Sequence, residues 1–143
     1  MPSLYSYRKV IDAVTTHTLR LPDPVAGQAG DEAKGQELAT LADGRTIVAV
    51  TGTLPANQPS AIAASVQALP SPLPTDLRNA IRDASPHVRL INQRVQDAIA
   101  ARYSMADEIK LLRTAPSADA VAYNAYVEDC RAWGRSEKAK IGL

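Results

Sequence analysis

Apolar and polar positions recur with two different periods along this chain, and the change of period divides it. The strongest helical pattern lies in residues 85–113, SPHVRLINQRVQDAIAARYSMADEIKLLR. Val88, Leu90, Ile91, Val95, Ala98, Ile99 and Tyr103 recur mostly at three- and four-residue steps, so they fall on one side of a helix. Arg89, Gln93, Gln96, Asp97 and Arg102 fall away from that stripe. Ser85 followed by Pro86 predicts the start, because Ser accepts from free first-turn amides and Pro has no N–H to leave unpaired. Ser104 predicts a second start, with Asp107 three residues on as in a capping box and Glu108 placed where the helix dipole favours an acid. Ile109, Leu111 and Leu112 supply the apolar side of that second helix, and Lys110 and Arg113 suit its C-terminal end.

Before this stretch the period shortens. Residues 37–50, ELATLADGRTIVAV, hold two apolar runs around Asp43-Gly44, a dipeptide that tolerates the positive φ of a hairpin turn. A lone hairpin is marginal in water, and VTTHTLRL (residues 14–21) is the expected third strand. Residues 4–14 fit either a strand or a short helix. Residues 60–69, SAIAASVQAL, fit a helix by Ile62, Val66 and Leu69, but the flanking prolines favour an extended or edge-strand form. Residues 22–36 are expected to form an irregular connection that a neighbour would have to fix.

The prolines of PSPLP (residues 70–74) form a stiff connector. The expected organisation is therefore a β-rich region over residues 1–72 and a helical module over 73–143, an α+β fold. In that module Thr75-Asp76 caps a short helix with Leu77 and Ile81 facing inward. Ala115-Pro116-Ser117 break the chain, and a last helix follows over residues 118–138. Its expected buried face is Val121, Tyr126, Cys130 and Trp133, with Gly134 weakening or ending it early.

Composition changes this picture in one respect. Of 143 residues 45% are hydrophobic, yet none is Phe and only 4% are aromatic. Small Ala side chains bury little area each, so a thin core or a core completed by a partner is expected. Charge adds only exclusions. The net charge of +1 and the lack of a basic block argue against a nucleic-acid or membrane footprint. Cys130 stands alone, so no internal disulfide forms, which fits a reducing compartment. No run approaches the roughly 18 apolar residues of a membrane span, and MPSLYSYRKV lacks the apolar run of a signal peptide. A soluble protein made in the cytoplasm is expected.

Candidate chemistry is sparse. His17, His87 and Cys130 have no metal-ligand spacing. The pairs Asp107-Glu108 and Glu128-Asp129 are explained by a helix start and a solvated face. The glycines lack phosphate-binding spacing, and no nucleophile is paired with a base. No enzyme, cofactor or metal is expected. Tyr123, Tyr126 and Trp133 put half of the six aromatics on one helix, either to close the core or to meet a partner. With Arg102 and Tyr103 at the corner they form the candidate partner-contact set.

Residues 84–95 (ASPHVRLINQRV), 101–113 (ARYSMADEIKLLR) and 122–134 (AYNAYVEDCRAWG) carry a resemblance. In this Arg-Tyr-Ser corner, Glu-Ile-x-Leu-Leu-Arg helix and Tyr/Trp helix, the chain resembles small proteins of bacteriophage and prophage tail-gene clusters, over residues 54–143. The resemblance implies a structural adaptor of a tail tip or baseplate, attaching a tail fibre or receptor-binding protein, in copies set by tail symmetry. Its alternative implication is a tail-fibre assembly chaperone absent from the virion. It brings no catalytic residues, and its partners would be other tail proteins.

Overall fold

The computed structural model describes residues 2–22 and 35–143. In chain order the elements are β1 (Ser3–Tyr7), β2 (Val10–Ile11), β3 (Thr16–His17), β4 (Gly35–Thr40), β5 (Thr46–Val50), α1 (Ser60–Ala63), β6 (Gln67–Ala68), α2 (Thr75–Ala84), α3 (Pro86–Arg102), α4 (Met105–Thr114) and α5 (Ala118–Lys140). This is the α+β fold. The chain divides into two compact units, Met1–Pro86 with Lys140–Leu143, and His87–Ala139.

The first unit is built on a four-stranded antiparallel sheet in the order β4-β5-β1-β6. All five residues of β5 are buried, as its unbroken apolar run requires of a strand covered on both faces. Ile47 and Ala49 join Leu4, Leu38, Ala39 and Ile81 in one core, with Leu77, Ile141 and Leu143 packed against it. Val48 and Val50 join Tyr7, Leu19 and Ile62 in the other, with Leu54 and Val66 alongside. The β4–β5 register slips at Leu38, between Glu37↔Val48 and Ala39↔Ile47. That bulge lets the consecutive Leu38 and Ala39 enter the same core, which strict alternation forbids.

The Asp43-Gly44 turn forms as a three-residue loop. Leu41 and Arg45 close it, Gly44 N–H donates to the Leu41 carbonyl at 3.0 Å, and Gly44 takes φ 88°. Only the glycine needs the left-handed region here, since no non-glycine residue among those described has positive φ.

Four sequence expectations change in this unit. The third strand is β1, which pairs with β5 over five residues, not residues 14–21. Of the latter only Thr16–His17 is strand, in a separate two-stranded ribbon with β2, while Leu19 turns into the second core. Residues 60–69 form the short helix α1 and then the two-residue strand β6, so the extended form holds only at its end. Thr75 is the first residue of α2 rather than its cap; Pro74 holds the cap position, with no side-chain bond. Finally, the boundary after residue 72 gives way to one at Pro86/His87. Ile81 is completely buried and anchors α2 in the first core, so α2 belongs with the sheet. Of the expected irregular connection, residues 23–34 lie outside the described residues, and Gly35 and Gln36 open β4.

The second unit comprises α3, α4 and the greater part of α5. Helix α3 begins at Pro86 as expected. Of its expected apolar side, Val88 is buried, Ile91, Val95, Ala98, Ile99 and Tyr103 are half-buried, and Leu90 is exposed. Helix α5 passes straight through Gly134. A Cβ at that position would lie 2.9 Å from Val95 Cγ2, so the missing side chain is what admits Val95 of α3. Two members of α5's expected buried face, Val121 and Trp133, are exposed. Ala120, Val127 and Gly134 are buried instead.

Candidate functional site

The candidate site lies in the helical unit, where the sequence placed its partner-contact residues. Its corner is fixed locally. Ser104 Oγ accepts from Asp107 N–H at 3.1 Å, and Asp107 Oδ2 accepts from Ser104 N–H at 3.0 Å, which completes the capping box. The hydrogen bond from the Ser104 amide, then that from its hydroxyl, hold the Asp107 carboxyl below the ordinary carboxylate range.

Four of the five candidate residues meet beside this corner. The Tyr103 ring stands edge-on to Tyr123, centroids 4.9 Å apart, and tilted to Tyr126 at 5.8 Å. The Arg102 guanidinium lies over Tyr126, 4.5 Å from its centroid, and 5.7 Å from that of Tyr103. Each of the two α5 phenols is also tied within the unit. Tyr123 O–H donates to Glu108 Oε1 at 2.8 Å, and Tyr126 O–H donates to the Ala98 carbonyl at 2.9 Å. The bond to Glu108 raises the Tyr123 phenol above its usual range, and desolvation raises that of Tyr126. These rings join the ends of α3 and α4 to α5. Their geometry is that of a joint inside the unit, with one side open to water.

The fifth candidate, Trp133, stands apart from that joint. It is 42% exposed and, with Val95, Ala98, Asp129 and Cys130, lines a shallow apolar hollow of about 230 Å³. Cys130 is half-buried there as a small apolar group.

Helix α4 holds what the sequence reading missed. Met105, Ile109 and Leu112 form one stripe at four- and three-residue steps. Met105 is 77% exposed and Leu112 70%, Ile109 is exposed too, and no residue of α4 is buried. Half-buried Glu108 and Leu111 occupy its inward side, held through Tyr123. The spacing was visible in the sequence, but the direction of the stripe was not. Val121 near the start of α5 and Leu90 of α3 add further exposed apolar side chains to the same unit.

Among the described residues no group of three His, Cys, Asp or Glu is placed to hold a metal ion, and no helix is long and apolar enough to cross a membrane. Comparison with protein-family models, curated proteins and solved structures finds no match.

Proposed function

We propose that the protein is a structural adaptor of a phage tail tip or baseplate, whose helical unit attaches a tail fibre or receptor-binding protein. One observation carries the protein-binding part of this reading: α4 turns Met105, Ile109 and Leu112 outward while Glu108 takes the inner side. Anchors at i, i+4 and i+7 are the pattern by which one helix seats on another protein. An exposed apolar stripe of this kind is costly for a free protein and characteristic of an interaction surface. Trp133, rigid and half in water, suits a second contact. The tail assignment is supported by the resemblance of residues 84–95, 101–113 and 122–134.

Quantitative mass spectrometry of particles purified from a lysate tests the assignment. An adaptor is present at a fixed ratio to known tail proteins. Absence from particles with association to free fibre would make the protein an assembly chaperone, and absence from both would remove the tail reading. The double variant Ile109→Asp, Leu112→Asp is expected to lower partner association roughly tenfold or more and to leave the melting temperature unchanged. A fall in melting temperature with association intact would return the stripe to a structural role.

A further inference from the structure

The sheet unit is discontinuous: the chain leaves it at Pro86 and re-enters it at Lys140. The returning residues are Lys140, the last of α5, and then Ile141, Gly142 and Leu143, which lie in no helix or strand. Ile141 and Leu143 pack against the core that holds Leu4, Ala49 and Ile81. Gly142 takes φ 86°, and a Cβ there would lie 3.1 Å from Leu4 Cδ2, so only a glycine lets the main chain come down on Leu4. Ile141 shares the lining of a cleft with Ala49, the register partner of Leu4 on β5. Arg82 of α2 donates through Nη2 to the Leu143 carbonyl oxygen. The segment thus meets the Leu4–Ala49 pair as a short peptide ligand would: apolar side chain, bare backbone, apolar side chain, with its last carbonyl held by a guanidinium.

Its hold differs from that of the elements around it. Ile141, Gly142 and Leu143 are all half-buried, whereas Leu38, Ile47 and Ile81 of the same core are enclosed. Among the described residues the segment joins no strand pair of the sheet, so its departure breaks no rung between β1 and β5. Open space borders it. A cleft of about 510 Å³ reaches Gly142, another of about 430 Å³ reaches Lys140 and Ile141, and Pro2 lines both. Release therefore costs partial apolar contacts and the Arg82 bond, but no backbone ladder. Segments held in this way open locally, at free energies below that of global unfolding.

We propose that residues 141–143 are a releasable strap, the built-in ligand of an apolar groove over Leu4 and Ala49 that recognises an apolar–glycine–apolar segment. The middle position must be glycine, because any side chain there meets Leu4 and the left-handed φ strains every other residue. The outer positions supply the burial. Withdrawal of the strap merges the two clefts and uncovers Leu4, while the sheet and α2 stay paired and packed through Leu38, Ile47 and Ile81. The strap is the direct continuation of α5, so a partner that draws on the end of that helix acts on the groove through the chain. This device goes beyond the adaptor reading and does not depend on it.

The test compares the ¹⁵N-labelled full chain with its Gly142→Val variant and with Leu143→Ala, which only trims the strap and carries less risk to folding. In both variants the amides of residues 141–143 are expected to become mobile and those of Leu4, Ala49 and Arg82 to shift, while hydrogen-exchange protection of the β4–β5 pair persists. A synthetic peptide with the sequence of residues 136–143 is then added to each protein. It is expected to return the Leu4, Ala49 and Arg82 signals of the variants towards their parent positions, saturably. Affinity for the parent is expected to be roughly tenfold or more lower, because its own strap competes at a high effective concentration. The same peptide carrying Gly142→Val is expected to have no effect. A strap as ordered in both variants as in the parent would overturn the proposal, and so would loss of β4–β5 protection together with the strap in both. No saturable return in either variant, equal affinity for parent and variants, or an equal response to the substituted peptide would also overturn it.

Discussion

Strand β5 and helix α5 show how differently the two units are held together. Every one of the five residues of β5 is buried, whereas α5 buries three of its 23. The sheet unit has two cores, one on each face of the sheet, closed by α2 on one side and by Leu19 and Ile62 on the other. The helical unit has no comparable core. It relies on the capping box, the tyrosine joint and the close approach of Val95 to Gly134, and it leaves Met105, Ile109, Leu112 and Val121 in water. Hydrophobic burial dominates folding stability, so the first unit is the more stable body, and under the proposed adaptor function a partner would cover the apolar surface that the second leaves exposed.

The largest expected effect is on the sheet side of this comparison. Ile81→Ala opens a cavity beside Leu38 and Ile47 and is expected to lower unfolding free energy by about 2–5 kcal/mol. Leu112→Ala, a deletion of similar size from an exposed site, is expected to stay within about 0.5 kcal/mol. Urea titrations of the two variants give both numbers, and equal losses would erase the distinction between the units.

A smaller effect is expected at the helix crossing. Gly134→Ala gains about 1 kcal/mol of helix propensity but drives a methyl group against Val95 Cγ2, an overpacking that typically costs about 1–3 kcal/mol. The net change is expected to be a modest destabilisation that adding Val95→Ala relieves. If Gly134→Ala alone stabilises the protein, Val95 yields freely and the crossing does not depend on the missing side chain.

The capping box is expected to give the smallest change, about 1 kcal/mol for Ser104→Ala. Its pH dependence follows from the sign of the Asp107 shift. The folded-state pKa is lowered, so its contribution is present above the ordinary carboxylate range and is lost as pH falls through the lowered value. Ser104→Ala is expected to flatten the acid limb of the stability curve, and an unchanged limb would show that the box does not operate in solution.

Turns, caps and some buried faces were legible in the sequence because each depends on local chemistry. Gly44, the Ser104–Asp107 pair, Pro86 and the Leu77/Ile81 face were all readable in this way. Strand β1 was harder to see. Its buried residues include Ser6, which lies between Ile47 of β5 and Gln67 of β6 and breaks the hydrophobic alternation. The place of α2 was hidden because a proline connector looks like a boundary, whereas Ile81 and the sheet decide which unit the helix joins. At the candidate site the aromatic set was identified, but the sequence left open whether it closes a core or meets a partner. The phenol bonds to Glu108 and Ala98 show the tyrosines tied within the unit, whereas Trp133 stays 42% exposed over the hollow it lines with Val95 and Ala98. Periodicity gives a stripe and not the side it faces, and in α4 the consecutive Leu111 and Leu112 differ, the first half-buried and the second exposed.

Native-state hydrogen exchange of the free full chain tests the central contrast most directly. Amides of β1 and β5 are expected to exchange only through global opening, and those of α4 on the order of a hundredfold faster or more, through local opening. Protection of α4 equal to that of β5 in the absence of any partner would contradict the contrast, because the helical unit would then need nothing to complete it.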